Sequence, residues 1–188
     1  MIPIMYERTF AALVSMATRT RSLSAGEHLF HRGDTVATMH LVSNGQIDLV
    51  RHSVAGRAIV LQRAARGDIV AEASLFAEYY HCDAIAAASA SALCIPKRIF
   101  RDRLRTDPDF AESWTAYLGQ EIQTMRFRGE VLSLQTVAAR LDAWLALHET
   151  MPPRGEWKNL ALQIGVSPEA LYREIAKRRG YGNQKHYR

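Results

Sequence analysis

Four charged side chains near the end of the sequence have the spacing of one helix face. They are Glu169, Arg173, Lys177 and Arg178, and residues three or four positions apart are neighbours on a helix surface. A carboxylate can accept a hydrogen bond from cytosine, a guanidinium can donate two to guanine, and basic side chains pair with phosphates. The spacing therefore suits contact with duplex DNA. The alternative is a solvated helix face on which Glu169 and Arg173 form an ion pair worth about 0.2–0.5 kcal/mol.

A second polar group, Glu72, His81, Cys82 and Asp83, lies in the first half of the chain. No phosphate-binding glycine loop, nucleophile elbow or metal-ligand motif accompanies it, so we expect no catalytic residue, no metal site and no enzyme activity. Cys82 beside His81 could ligate haem or sense oxidation if the imidazolium lowered the pKa of its thiol. The alternative is that Cys82 is a small buried hydrophobic residue.

Composition limits the class of protein. The 188 residues are 48% hydrophobic, carry a net charge of +5 and include 2 cysteines, too few for a four-cysteine iron–sulfur cluster. The basic excess is concentrated after Pro153, which favours a polyanionic partner, although basic tails can also serve solubility alone. Without a signal-peptide pattern or a long apolar run, we expect a cytoplasmic protein with reduced thiols and no membrane contact.

A helix, a tight turn and a second helix are predicted between Trp157 and Gly180. Gly165 supplies the positive φ that ends the first helix, Ser167 can cap the second, and Pro168 suits its first turn. Apolar side chains recur at helical spacing on both sides of the turn: Leu160, Ala161, Ile164, Ala170, Leu171 and Ile175. A helix-turn-helix places such a second helix in the major groove of DNA.

The first half has the texture of a β-domain. From about residue 21 to 96, short apolar runs alternate with glycine turns, as in an all-β sandwich or a small jelly roll. Asn44 and Gly45 separate two such runs and predict a hairpin, because a type I′ turn requires positive φ at both central residues. A second hairpin is predicted to turn near Gly56. Residues 1 to about 20 are predicted to be helical, with an apolar face of Phe10, Leu13, Val14 and Met16.

A long apolar stripe follows the β-domain. It has helical spacing and consists of Phe110, Trp114, Tyr117, Leu118, Ile122 and Met125. Such a helix either packs on its own β-domain or pairs with a second copy, and the stripe is wide enough for both. We favour dimerisation.

Taken in order, these segments resemble the Crp/Fnr family of bacterial transcription regulators. The likeness rests on residues 26–34, 41–47, 67–76 and 137–141, and on the pattern Ser167-x-Glu169-x-x-x-Arg173. Residues 67–76 resemble the start of the family's phosphate-binding cassette. The resemblance implies a homodimer on a two-fold-related operator, with RNA polymerase as a further candidate partner. It assigns DNA contacts to Ser167, Glu169, Arg173, Lys177 and Arg178.

The effector pocket departs from the family. Cyclic-nucleotide members carry an Arg-Ser pair, whose Arg clamps the cyclic phosphate; here Cys82 and Asp83 stand at those positions. Ala71 replaces a cassette glycine, while Glu72, the usual ribose partner, remains. The resemblance thus implies a degenerate pocket of Glu72, Ala73, Ser74, Cys82 and Asp83. We expect cyclic AMP and GMP to bind poorly, and the effector is unknown.

The resulting hypothesis is an α+β protein with three parts. Residues 1–105 form a jelly-roll-like effector-sensing domain, residues 106–130 a dimerisation helix, and residues 131–188 a helix-turn-helix DNA-binding domain. Because only residues 181–188 follow the second helix, the family's β-hairpin wing is expected to be shortened or absent. The alternative function is a small-molecule-binding or haem- or redox-sensing module with a vestigial DNA-binding domain.

Overall fold

The computed structural model describes residues 2–54, 56 and 58–184, with side chains described for residues 9–54, 56 and 58–179. The chain divides into two compact units, Met1–Tyr117 and Leu118–Arg188. None of the helices in the described residues is both long enough and apolar enough to cross a membrane.

The N-terminal unit is a two-sheet β-domain with flanking helices. Its elements are α1 (Ile2–Met16), β1 (Arg19–Leu23), β2 (His28–Phe30), β3 (Thr38–Asn44), β4 (Gln46–His52), β5 (Ala58–Ala65), β6 (Ile69–Val70), a 3-10 helix (Glu72–Phe76), β7 (Asp83–Ala86), β8 (Ala90–Pro96) and α2 (Lys97–Thr106). One sheet has the strand order β1-β8-β3-β6 and the other β2-β7-β4-β5, and all pairs are antiparallel. The two sheets enclose an apolar core. This confirms the predicted α+β class with an N-terminal jelly-roll-like domain.

The predicted hairpin at Asn44 and Gly45 is wrong. Its strands β3 and β4 belong to different sheets and do not pair with each other. Gly45 does have a positive φ of 74°, but it lies where the chain passes from one sheet to the other. A Cβ at Gly45 would collide with the carbonyl oxygen of Ser89 and lie 2.8 Å from Cα of Ala90. The glycine therefore permits a close approach of two backbone segments at the corner of the domain.

The second predicted hairpin is confirmed, since β4 and β5 pair along their whole length. Its turn includes Gly56, with φ 73°, and positions 55 and 57 fall outside the described residues. The N-terminal helix is confirmed as α1. Of its predicted apolar face, Leu13 and Met16 are buried, whereas Val14 is exposed.

The C-terminal unit consists of helices. The chain continues through α3 (Pro108–Ser133), α4 (Val137–His148), a 3-10 helix (Arg154–Glu156), α5 (Trp157–Gln163) and α6 (Pro168–Gln184). One apolar cluster holds this unit together: Val131, Leu141, Trp144, Trp157, Leu160, Ala161, Ile164, Leu171 and Ile175. The helix predicted over 106–130 thus continues to Ser133.

The apolar stripe of α3 has two different environments. Phe110, Trp114 and Tyr117 are buried, and the rings of Phe110 and Trp114 pack edge-on against Phe100 of α2. Ile122 and Met125, further along the helix, are exposed in the single chain. Part of the stripe therefore packs within the N-terminal unit, and part remains available for another surface.

Candidate DNA-binding helix and effector pocket

The turn between α5 and α6 has the predicted geometry. Gly165 has φ 65°, and a Cβ there would collide with the side chain of Leu132. Helix α6 begins at Pro168, and the Ser167 hydroxyl accepts a hydrogen bond from the backbone N–H of Ala170 at 3.2 Å. The glycine stop and the serine cap are therefore confirmed. They fix where the second helix starts.

Three of the predicted contact residues lie on the open side of α6. Glu169, Arg173 and Lys177 are exposed, whereas Leu171 and Ile175 face the apolar cluster. The pKa of Glu169 is lowered by its own backbone N–H, by the Ser167 hydroxyl and by nearby positive charges, including that of Arg173. Glu169 is thus held as a carboxylate, the form that acts only as an acceptor.

Arg178 occupies a different environment from the other predicted contacts. Its guanidinium bonds to the carboxylates of Asp142 at 2.5 Å and Glu174 at 2.8 Å, and to the carbonyl oxygen of Ala138 at 3.0 Å. The carboxylates of Asp142 and Glu174 raise the pKa of Arg178 despite the opposing effect of burial. The side chain ties α6 to α4, which argues against the predicted phosphate contact.

Arg140 is a positioning residue that sequence patterns did not identify. Its guanidinium donates to the carbonyl oxygens of Leu132 and Leu134 at the C-terminal end of α3, and to those of Ile164 and Gly165 at the turn, over distances of 2.7–3.2 Å. Carbonyls at helix ends lack helical partners, so one side chain satisfies several of them. The spacing of residues in sequence gives no signal for this arrangement.

The predicted effector pocket centres on Glu72, at the start of the 3-10 helix. Burial raises the pKa of its carboxyl group. The side-chain amide of Gln62 donates to Glu72 at 3.3 Å and to the carbonyl oxygen of Ile69 at 3.1 Å. Gln62, from β5, is a hydrogen-bond partner of Glu72 that the sequence did not reveal.

Ala71, just before the 3-10 helix, adopts a left-handed conformation, with φ 58° and ψ 43°. A non-glycine residue in this region carries strain of about 1–2 kcal/mol. The backbone therefore has the shape that glycine would favour, although the side chain is alanine. Of the neighbouring predicted pocket residues, Ser74 is buried and Ala73 is exposed.

Cys82 immediately precedes β7 and is buried, whereas Asp83, the first residue of that strand, is partly exposed. Cys82 belongs to the core with Ala84 and Ala86, and burial raises the pKa of its thiol, while the charge of Arg51 opposes that rise. Asp83 instead accepts from the backbone N–H of Arg32 at 2.9 Å. The predicted placement of Asp83 in the pocket is therefore not observed, because Asp83 and Ala84 are successive residues of a strand and such residues point to opposite sides.

The comparisons with known proteins agree with this architecture. The family described as the cyclic nucleotide-binding domain matches residues 20–107. No match is found among curated proteins.

Three solved structures illustrate the similarity. A protein from Silicibacter pomeroyi DSS-3, described as a cAMP-binding regulatory protein, is 28% identical with a TM-score of 0.61, covering 93% of this chain and 81% of that one. The c-di-GMP-responsive global regulator CLP of Xanthomonas campestris is 18% identical, with a TM-score of 0.63 and coverage of 94% and 93%. The Thermus thermophilus catabolite activator protein is 22% identical, with a TM-score of 0.52 and coverage of 93% and 84%. The last two show the fold alone.

These similar proteins are described as a cAMP-binding regulatory protein, a c-di-GMP-responsive regulator and a catabolite activator protein, and none of these descriptions names an enzyme. The ordered resemblance seen in the sequence agrees with the domain match and with the structural similarity over nearly the full chain. Residues 20–107 match a cyclic nucleotide-binding domain, helices follow that domain, and structures similar over nearly the whole chain are those of regulators, which supports the resemblance to the Crp/Fnr family.

Proposed function

We propose that the protein is a transcription regulator that binds a palindromic operator as a homodimer and does not require cyclic AMP. The single observation that carries this proposal is the α5–turn–α6 unit. Its second helix is anchored by Leu171 and Ile175 and exposes Glu169, Arg173 and Lys177. This is the arrangement by which a helix-turn-helix presents polar side chains to base edges and phosphates.

The exposed apolar part of α3 supports the homodimer. Ile122 and Met125 are exposed, at 45% and 56%, and lie three positions apart, so they share one helix face. Pairing this face with its copy would remove it from water. Two recognition helices could then reach successive major grooves about one helical turn apart.

The pocket residues support independence from cyclic AMP. Glu72 is present, but Cys82 is an uncharged core residue at the position of the phosphate-clamping arginine. The raised pKa of the thiol also argues against the redox alternative, because reactive cysteines have lowered pKa values. We assign the protein to DNA binding, with an effector other than a clamped cyclic phosphate.

Selection of bound duplexes from a randomised pool, at two salt concentrations and with or without cyclic AMP, tests the proposal. We expect a palindrome to be enriched in the absence of cyclic AMP. Enrichment only with cyclic AMP would overturn the pocket assignment. No enrichment under either condition would favour a vestigial DNA-binding domain.

Arg173→Ala tests the contact to bases. It should weaken binding to the selected operator by about 1–3 kcal/mol and affect random duplex much less. Arg66→Ala removes the same charge from an exposed turn of the N-terminal unit and serves as the matched control. Equal losses on operator and random duplex would show that Arg173 does not read bases.

Lys177→Ala should instead reduce the salt dependence of binding to both the operator and the random duplex.

A further inference from the structure

A group of nitrogen and oxygen donors lies on the outer face of the β2-β7-β4-β5 sheet. One ligand atom from each of His28, His31 and Asp83 lies within 4.8 Å of the others, and His52 lies close to the same carboxylate. We infer that His28, His31 and Asp83 form a binding site for a divalent first-row transition metal ion, with His52 orienting the carboxylate.

Strand pairing brings these residues together. Strand β7 pairs with β2 on one side and with β4 on the other. His28 opposes Ile85 in the ladder, while Asp83 opposes Val50, two residues before His52. Since Ala84 and Ala86 point into the core, Asp83 points outward, away from the side that holds Cys82. The site is therefore distinct from the effector pocket.

The carboxylate of Asp83 is already oriented. One oxygen accepts from the backbone N–H of Arg32 at 2.9 Å and lies 3.8 Å from Nδ1 of His31, and the other lies 3.7 Å from Nδ1 of His52. The turn that carries His31 is fixed by the Asp34 carboxylate, which accepts from the His31 backbone N–H at 2.8 Å. Hydrogen bonds of this kind hold metal ligands in place.

Two imidazoles and a carboxylate suit zinc, iron, nickel and copper more than magnesium or calcium. Metal–ligand distances of about 2.0–2.2 Å require the three ligand atoms to approach more closely than they do here. The His28 and His31 rings are stacked, with centroids 4.2 Å apart, and the His31 side chain is 62% exposed. Its ring is therefore free to turn towards a shared ion without repacking the core.

The test uses the full chain after treatment with a chelator. Co²⁺, as a probe with visible absorption, should bind at one ion per chain, and Zn²⁺ should displace it. His31→Ala and Asp83→Asn should each weaken Zn²⁺ binding at least tenfold, and His52→Ala should weaken it by a smaller factor. His81→Ala, which removes an exposed histidine outside the group, should leave the affinity unchanged.

Thermal unfolding gives a second measurement, because a ligand that binds only the folded state raises the melting temperature. Zn²⁺ should raise the melting temperature of the wild type and of His81→Ala, but not that of Asp83→Asn. Absence of stoichiometric binding to the wild type would overturn the proposal. Equal affinity in His31→Ala, Asp83→Asn and the wild type would also overturn it, since it would mean non-specific binding by surface histidines. Neither result bears on DNA binding.

Discussion

Single side chains of this protein have environments that change their chemistry, and His40 is a clear example. It is buried on β3, with Nδ1 3.7 Å from the sulfur of Cys94. Burial lowers the pKa of His40 from 6.5 to about 4, and the charges of Arg21 and Arg19 add to the effect. The folded protein thus holds this imidazole in its neutral form.

This environment predicts a dependence of stability on pH. Because the folded pKa lies below the unfolded value, the stabilising contribution is fully present above pH 6.5 and is lost as pH falls towards 4. The loss at low pH approaches about 3 kcal/mol, at 1.36 kcal/mol per pKa unit. Urea unfolding of the wild type and His40→Gln at neutral pH and near pH 4 measures it.

The difference between the two proteins isolates His40, since other titrating groups are common to both. The variant should lose less stability on acidification than the wild type. An identical slope in His40→Gln would show that His40 is not the group responsible.

At the scale of elements, the crossing from β3 to β4 depends on Gly45. Because Gly45 has a positive φ, Gly45→Ala imposes backbone strain of about 1–2 kcal/mol. The added methyl group would also collide with the backbone near Ser89. Gly26→Ala imposes similar strain, with φ 81°, but meets nothing within 4 Å. We expect Gly45→Ala to destabilise the protein by at least about 1 kcal/mol more than Gly26→Ala does, as measured by denaturant unfolding.

The helix ends around the α5–α6 turn depend on Arg140. Arg140→Ala should destabilise the C-terminal unit by about 2–3 kcal/mol, because hydrogen bonds from charged groups contribute about 1.5–3 kcal/mol and these are not additive. Arg140→Lys keeps the charge but loses the planar fork, so it should recover only part of the stability. Arg173→Ala, on the exposed face, is the control for loss of charge. Urea unfolding followed by circular dichroism distinguishes these outcomes.

The sequence predicted elements better than it predicted their partners. The start of α6 follows from Ser167 and Pro168, because capping is a local property of a few residues. The error at Asn44 and Gly45 arose because a turn pattern does not specify which strands pair. The cluster around Asp83 could not be predicted, since its members come from separate strands joined only by the fold.

At the scale of the whole molecule, the proposed dimer depends on the exposed face of α3. The double variant Ile122→Glu/Met125→Glu should convert the dimer to a monomer, because it places paired negative charges on the apolar surface. Gln123→Glu/Thr124→Glu adds the same charge to exposed positions on the other side of the helix and should leave the dimer intact. Light scattering after gel filtration measures the mass. A monomeric wild type would contradict the prediction.

Both cysteines of the chain, Cys82 and Cys94, are buried. Thiol-directed dyes react with accessible thiolates, so the folded native protein should take up little label. An Ala176→Cys variant, on the exposed side of α6, would then carry one fluorophore at a known position. The wild-type sequence therefore provides a background for fluorescence measurements of how this helix meets its partner, with both native cysteines left in place.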